Sequence, residues 1–243
     1  MPELWRMKKI KRFLTWLPVL TILCVFAISI SQGGCRVKNP TIKVEKYSRA
    51  IRVACVGNSI TWGSGIEDRD QNSYPATMSR ILGNKFDVHN FGVPGATLLK
   101  HGDHPYWETS AFKEAQEFNP DVVIIKLGTN DSKPQNWKFK NEFMSDLKAI
   151  ISKFSYLPSK PQVWLCTPCP VYGEGQWGIT PKVVEDEIIP AIRQVAEDGR
   201  IPVIDIYSAL NHNAEFFPDL VHPNAEGAER MARTIAGALT GIE

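Results

Sequence analysis

Five residues of the sequence together have the groups that acyl transfer requires: Ser59, Gly95, Asn130, Asp219 and His222. A serine hydroxyl becomes a nucleophile when a base lies within hydrogen-bond reach, and His222 could be that base. An imidazole in turn needs a carboxylate that sets its tautomer and stabilises the imidazolium, which Asp219 could supply. These residue types therefore suggest the hypothesis of a Ser59, His222 and Asp219 triad.

The same residues also offer hydrogen-bond donors for a tetrahedral intermediate. Such an intermediate carries its negative charge on one oxygen, and donors already in place stabilise that charge. The backbone N–H groups of Ser59 and Gly95 and the side-chain amide of Asn130 would supply three of them. We therefore predict an oxyanion hole formed by Ser59, Gly95 and Asn130.

The elements that must position these residues follow an alternating pattern. Compact runs rich in β-branched residues cover 51–57, 85–92, 121–128, 161–167 and 201–206. Amphipathic stretches lie near 73–82, 109–118, 137–155, 181–198 and 225–239. This alternation predicts right-handed βαβ units whose parallel strands are covered on both faces. We expect a three-layer α/β/α fold with a five-stranded parallel sheet in the flavodoxin-like order 2-1-3-4-5, and ligands at the carboxyl ends of its strands.

Four motifs in this order resemble the four sequence blocks of the SGNH hydrolases, also called GDSL esterases and lipases. They are Gly57-Asn58-Ser59, Gly95, Gly128-x-Asn130-Asp131 and Asp219-x-x-His222-Pro223, within residues 50–240. The resemblance implies Ser59 as nucleophile, His222 as general base and Asp219 as its orienting carboxylate. It likewise implies Ser59, Gly95 and Asn130 as the oxyanion hole.

One position departs from the family pattern, because Asn58 stands where the family usually has Asp. An asparagine keeps the turn-forming and hydrogen-bonding shape of aspartate but removes its charge. We therefore expect Asn58 to change the electrostatics of the loop more than the role of Ser59 as nucleophile.

Other interpretations of the first loop fit less well. Gly57, Gly63 and Gly65 follow a strand, as in phosphate-binding loops, but their spacing matches neither G-x-G-x-x-G nor G-x-x-x-x-G-K-[ST]. A nucleophile elbow of the G-x-S-x-G type would need glycine where Thr61 stands. Taken alone, Ser59 could be an ordinary turn or helix-start residue.

A segment of another kind precedes the predicted domain. Residues 1–12 contain five basic side chains, 13–31 contain no charge, and SQGGC ends at Cys35 like a lipoprotein cleavage box. This pattern is typical of a signal peptide or an N-terminal membrane anchor. We expect 1–35 to be such a leader, cleaved, lipidated or retained, followed by a tether over 36–48 and the hydrolase domain over 49–243. The domain would then lie outside the cytoplasm, in the cell envelope or periplasm, or be secreted.

The charge pattern gives no indication of a nucleic-acid partner. The chain has 28 basic and 26 acidic residues, and the leader holds five of the basic residues and one of the acidic ones. The remainder has a net charge of about −2, so the basic character belongs to the leader. The sequence leaves the oligomeric state open.

Neither a metal nor an organic cofactor is expected. Outside the leader stand Cys55, Cys166 and Cys169, which predict buried thiols or a local bridge rather than a disulfide framework or a zinc site. His101 and His104, with an aspartate between them, could suggest a metal site, but no further ligand follows nearby. We interpret them as polar rim residues.

The substrate is suggested by aromatic residues that fall just beyond strand ends, namely Trp62, Tyr106, Trp107, Trp137, Tyr172 and Trp177. Such faces can stack on sugar rings, or can simply close the rim of the core. We take Trp62, Tyr106 and Trp107 as candidate substrate-binding residues. Short exported members of the family resemble carbohydrate O-acetylesterases, so we expect removal of O-acetyl groups from a glycan. The alternatives are a lysophospholipase or thioesterase, and a non-catalytic glycan-binding module on the same fold.

Overall fold

Five parallel strands form the central sheet of the protein. The computed structural model describes residues 41–173 and 176–241, which belong to a unit spanning Lys38–Glu243. The strands are β1 Ile51–Gly57, β2 Phe86–Gly92, β3 Val122–Lys126, β4 Gln162–Cys166 and β5 Val203–Ile204. All neighbouring pairs are parallel, in the order β2-β1-β3-β4-β5. The predicted fold class and strand order are confirmed.

Helices connect and cover these strands. They are α1 Ser59–Trp62, α2 Arg69–Asn72, α3 Tyr74–Leu82, α4 Ser110–Glu117, α5 Pro134–Trp137, α6 Phe143–Ser155, α7 Pro181–Val183, α8 Ile189–Gly199, α9 Ile206–Leu210 and α10 Ala225–Thr240. Single 3-10 turns lie at Val44–Lys46, Gly83–Lys85, Tyr106–Glu108, Asn130–Ser132, Lys140–Glu142, Gln176–Gly178 and Ala214–Phe216.

The helices divide into two layers, one on each face of the sheet. Successive side chains of a strand point to opposite faces. Ala54 and Val56 of β1 pack into the layer of α4, α6 and α8, whereas Val53 and Cys55 pack into the layer of α3, α9 and α10. Because β1 is buried on both faces, it appears in the sequence as a nearly continuous apolar run.

The predicted helix over 181–198 is interrupted. A π turn at Val184–Ile188 separates α7 from α8. Pro190 has no N–H to donate to the carbonyl group four residues before it, and its ring crowds that carbonyl. A wider turn before Pro190 accommodates the ring, and the chain continues as α8.

Two other elements are shorter than predicted. The helix expected over 137–155 begins only at Phe143, after α5 and a 3-10 turn. The strand expected over 201–206 is reduced to β5, because Pro202 lacks an N–H and Asp205 caps α9. The Asp205 carboxylate accepts a hydrogen bond from the Ser208 N–H at 3.2 Å.

Residues of the predicted tether, 36–48, pack against the domain predicted to begin at residue 49. Ile42 is only 4% exposed in the core, and its N–H donates to the Leu239 carbonyl at 2.7 Å. Val44 and Tyr47 pack against the same layer. The leader predicted for 1–35, and the first tether positions, lie outside the described residues. Within the described ranges, no helix is both long and apolar enough to cross a membrane.

The carboxyl ends of β1 and β2 lie against α1 with no room for a side chain. Gly57 pairs with Gly92 in the sheet. A Cβ at Gly92 would lie 2.2 Å from the Trp62 backbone nitrogen, and one at Gly57 would lie 2.0 Å from Thr61 Oγ1. These two glycines therefore allow α1, with Ser59 at its start, to pack on the sheet edge.

We expect Gly92→Ala to lower the free energy of unfolding by about 1–3 kcal/mol or more, because the new methyl group collides with backbone atoms of α1. Urea denaturation measures the change. Gly65→Ala is the matched control: Gly65 has a φ of +80° but no atom within 4 Å of its would-be Cβ. Strain at a positive φ alone costs about 1 kcal/mol. A Gly92→Ala variant as stable as the wild type would show that close packing at Gly92 is unimportant.

Candidate active site

Ser59 is the first residue of α1 and follows the carboxyl end of β1. Asn58 caps the helix, since its Oδ1 accepts a hydrogen bond from the Ile60 N–H at 3.1 Å. The first N–H groups of a helix have no intrahelical acceptor, so the Ser59 N–H can donate to a ligand. Asn58 is 1% exposed, and its Nδ2 makes no hydrogen bond. The cap uses only a side-chain oxygen, which explains how Asn serves where the family usually has Asp.

A chain of hydrogen bonds joins Ser59, His222 and Asp219. Nε2 of His222 lies 2.8 Å from Ser59 Oγ, and Nδ1 lies 2.7 Å from Asp219 Oδ2. The other oxygen of Asp219 accepts hydrogen bonds from the backbone N–H groups of Val221, at 3.1 Å, and His222, at 2.7 Å. The structure thus brings together the three residues predicted as a triad.

The charge of Asp219 determines the tautomer of His222. Partial burial acts to raise the pKa of Asp219, but hydrogen bonds from the His222 backbone and ring and from the Val221 N–H outweigh it, so the pKa lies below its ordinary value. An ionised carboxylate can only accept, and therefore the His222 Nδ1 carries the proton. Its Nε2 is left to accept the Ser59 hydroxyl proton, as a general base must.

Gly95 lies at the third position of a tight turn over residues 93–96. The Ala96 N–H donates to the Val93 carbonyl at 3.1 Å, and Gly95 has a φ of +80°. These features define a type II turn, which requires glycine at this position. The turn's own hydrogen bond does not use the Gly95 N–H. His104 Nδ1 lies 3.4 Å from where a Cβ of Gly95 would be, an ordinary contact distance, so the positive φ rather than lack of space favours glycine here.

Asn130 lies in the 3-10 turn after β3 and is bonded to the segment that follows Gly95. Its Nδ2 donates to the Ala96 carbonyl at 3.1 Å. An amide nitrogen carries two hydrogens, and this bond engages one of them. The Val93 N–H donates to the Gly57 carbonyl at 3.0 Å, which ties the same turn to the strand end before Ser59. The three predicted oxyanion donors thus lie on segments that are hydrogen-bonded to one another.

Asp131 is a fully buried carboxylate that holds two of these segments together. Its oxygens accept hydrogen bonds from the Leu98 N–H at 3.0 Å and the Leu99 N–H at 2.7 Å. Burial raises the pKa of Asp131 to about 6, although these two hydrogen bonds act to lower it. In the sequence Asp131 stands out only as part of the GTND block, and its anchoring role becomes visible in the fold.

Asn136 is a buried residue that sequence reasoning missed. Its Nδ2 donates to the Asn130 carbonyl at 2.9 Å and to Asp103 Oδ1 at 3.0 Å, while its Oδ1 accepts from the Asp103 N–H at 2.8 Å. Asn136 therefore fixes the backbone of the turn that contains Asn130. No periodicity or spacing in KPQN distinguishes this asparagine from an ordinary loop residue.

Tyr106 was predicted to contact substrate, and this prediction is wrong. The side chain is completely buried, and its hydroxyl donates to the Phe91 carbonyl at 2.7 Å. Burial also raises the pKa of the Tyr106 hydroxyl. Tyr106 is therefore a core residue that packs the loop after β2.

Trp62 and Trp107 have protein partners that limit their free surface. One face of Trp62 is covered by the Arg69 guanidinium, 3.6 Å from the ring centroid, and the residue is 37% exposed. The Trp107 Nε1 donates to the Leu98 carbonyl at 2.7 Å, and the Lys100 ammonium lies 4.4 Å from the ring. Contact of these two tryptophans with substrate stays a prediction.

The other candidate ligands make contacts of their own. His101 Nδ1 lies 2.7 Å from Glu142 Oε2, and Asp103 is held by Asn136. Within the described residues, no group of three or more His, Cys, Asp or Glu side chains could hold a metal ion. The three described cysteines, Cys55, Cys166 and Cys169, are free and buried, and burial raises the pKa of each thiol.

Comparison with known protein families agrees with this arrangement. Residues 55–230 match the model of the GDSL-like Lipase/Acylhydrolase family. The chain belongs to this family. Membership confirms the predicted resemblance to the GDSL esterases and lipases.

Individual relatives extend the comparison. The chain is 44% identical over 208 residues to an acetylxylan esterase from Xylanibacter ruminicola, covering 78% of this chain and 43% of that protein. It thus spans less than half the length of this relative. A carbohydrate acetylesterase from Sinorhizobium meliloti superposes with a TM-score of 0.64 at 18% identity, covering 76% of this chain and 96% of that one. The M. smegmatis aryl esterase gives a TM-score of 0.61 at 18% identity, with 77% and 97% covered. These two structures share the fold.

We expect Asp219→Asn to lower kcat for p-nitrophenyl acetate about 10⁴-fold, because the amide cannot hold His222 in the tautomer that accepts the Ser59 proton. The melting temperature should change little, since size and shape are kept. Asp87→Asn is the matched control, because Asp87 is likewise an aspartate within hydrogen-bond distance of a histidine ring. Its Oδ1 lies 3.0 Å from His89 Nε2, at an exposed site. Asp219→Asn that retains more than about a tenth of the wild-type kcat would contradict this role.

Proposed function

We propose that the protein removes O-acetyl groups from carbohydrates by way of an acyl-serine intermediate. The observation that carries the proposal is the hydrogen-bonded chain from Ser59 through His222 to Asp219. Hydrogen bonds also link the turn of Gly95 to Gly57, before Ser59, and to Asn130. The acetyl and carbohydrate parts of the proposal draw support from the identity to an acetylxylan esterase. The predicted export of the domain would place it where extracellular glycans are found.

In the first half-reaction, the Ser59 oxygen attacks the acetyl carbonyl carbon while its proton moves to His222 Nε2. Attack along this path needs no movement of the imidazole, because Nε2 already lies 2.8 Å from Oγ. The carbonyl oxygen becomes an oxyanion, which the Ser59 and Gly95 N–H groups and the Asn130 amide stabilise. The bond to the sugar oxygen then breaks, and His222 gives its proton to that oxygen.

In the second half-reaction, water replaces the sugar. His222 takes a proton from the water as its oxygen attacks the acetyl-serine carbonyl, and the same donors stabilise the second oxyanion. The Ser59 Oγ–carbon bond breaks, acetate leaves, and the serine regains its proton from His222. Asp219 remains ionised throughout and stabilises the imidazolium that forms twice in each cycle.

The test compares three substrates on the same enzyme: p-nitrophenyl acetate, p-nitrophenyl octanoate and acetylated xylan. We expect a larger kcat/KM for the acetate than for the octanoate, and release of acetate from the xylan. Faster cleavage of the octanoate, without acetate from the glycan, would contradict the proposal and favour a lipid acyl hydrolase.

The matched variant in this comparison is Ser59→Ala. It removes the nucleophile, and kcat should fall by at least about 10⁴-fold. Turnover that is unchanged in Ser59→Ala would exclude Ser59 as nucleophile, whereas a wild type that cleaves none of the three substrates would favour a non-catalytic glycan-binding module.

A further inference from the structure

Trp177 is an exposed aromatic residue beside the proposed general base. Its ring centroid lies 6.1 Å from that of His222, and the two ring planes meet at 72°. The side chain is 64% exposed. An exposed apolar side chain beside a proposed catalytic residue can contact the bound substrate, and the indole of Trp177 is free to do so.

The backbone of Trp177 is held in an uncommon conformation. Its φ is +56° and its ψ is 17°, a left-handed region that costs a residue other than glycine about 1 kcal/mol or more. The chain that follows is well anchored: Ile179 is 1% exposed, and the Thr180 N–H donates to Ser132 Oγ at 3.1 Å. Ser132 lies in the same 3-10 turn as Asn130. The strained residue is thus attached to the turn that carries a proposed oxyanion donor.

The other tryptophans of the described residues are less available. Arg69 covers one face of Trp62, and a hydrogen bond to the Leu98 carbonyl holds Trp107. Trp137 packs edge-on against Phe143 with centroids 5.4 Å apart, and Trp164 is fully buried. Within this part of the chain, only Trp177 is a tryptophan exposed over more than half of its surface.

The chemistry of ester cleavage decides which part of the substrate Trp177 meets. His222 must protonate the oxygen of the leaving alcohol, so that oxygen has to come close to Nε2. The acetyl group, by contrast, is bonded to Ser59, and its oxygen points to the donors at Gly95 and Asn130. A group that lies against Trp177 is therefore on the alcohol side of the ester.

We propose that Trp177 is a specificity-determining residue that stacks on the pyranose ring bearing the acetyl group. In a sugar acetate the leaving oxygen is bonded directly to the ring, so the ring must lie within a few ångströms of the imidazole. The apolar C–H face of a pyranose gains dispersion contacts and loses water when it covers an indole. This inference rests on the proposed function, and it assigns Trp177 to the acylation step alone, because the sugar has left before water attacks.

The test measures kcat/KM for an acetylated xylo-oligosaccharide and for ethyl acetate, whose alcohol has no ring. The first variant is Trp177→Asn, since asparagine tolerates a positive φ and so removes the ring while keeping the backbone. Trp177→Phe retains an aromatic face. Tyr156→Ala is the control, because Tyr156 is an aromatic residue 88% exposed at the end of α6.

We expect Trp177→Asn to lower kcat/KM for the oligosaccharide by about ten- to thirtyfold and for ethyl acetate by less than about twofold. Trp177→Phe should recover most of the loss, and Tyr156→Ala should match wild type on both substrates. The rate of acetyl-enzyme hydrolysis, followed by rapid quench, should be the same in all four proteins.

Three outcomes would overturn the inference. Equal losses on both substrates would show that Trp177 supports His222 rather than the sugar. Unchanged oligosaccharide kinetics in Trp177→Asn, with an active wild type, would overturn the inference and leave the proposed function intact. A wild type that cleaves ethyl acetate but releases no acetate from the oligosaccharide would overturn the proposed function, and this inference with it.

Discussion

The 2.8 Å contact between Ser59 Oγ and His222 Nε2 is the interaction on which the proposed chemistry depends. It joins a residue at the end of the first strand to a loop just before the last helix, so the 163 positions that separate them have to fold before it can form. Gly57 and Gly92 let α1 approach the sheet, and Asn58 caps that helix. On the other side, Asp219 holds both the backbone and the ring of His222.

A second set of interactions joins the segments that carry the proposed oxyanion donors. Asn130 and Asp131 bind the segment after Gly95, and Asn136 binds Asn130. Burial raises the pKa of Asp131 to about 6, above its ordinary value, so the folded state favours the protonated form. The stability that this group contributes is complete below the ordinary carboxyl pKa, near 4, and is lost as the pH rises through about 6. At neutral pH the buried charge therefore costs stability, which its two backbone hydrogen bonds partly offset.

Much of this architecture could be predicted from the sequence, because it depends on local patterns. Runs of β-branched residues predicted the strands, and the strand ends predicted where the reactive side chains would meet. Contacts between distant residues could not be predicted in the same way. The hydroxyl of Tyr106 finds its partner at Phe91, which buries a residue expected at the surface. Ile42, in the predicted tether, is hydrogen-bonded to the last helix, a contact that the local sequence pattern does not indicate.

For the exposed aromatic side chains, too, the sequence indicates their place along the chain but not their contacts in the fold. Several tryptophans fall just beyond strand ends, so sequence position alone does not distinguish them. Only the fold shows that Arg69 covers Trp62 and that Trp177 lies beside His222. A positive φ at Trp177 likewise has no signature in the sequence.

Detection of the acetyl-enzyme tests most directly whether Ser59 is the nucleophile. Wild-type protein is mixed with excess p-nitrophenyl acetate, quenched in acid within the first turnover, digested and analysed by mass spectrometry. We expect one added acetyl group on the peptide that contains Ser59, appearing with a burst of p-nitrophenol. Hydrolysis at the full rate with no acetylated Ser59 and no burst, or an acetyl group on another residue of a competent enzyme, would contradict this role of Ser59.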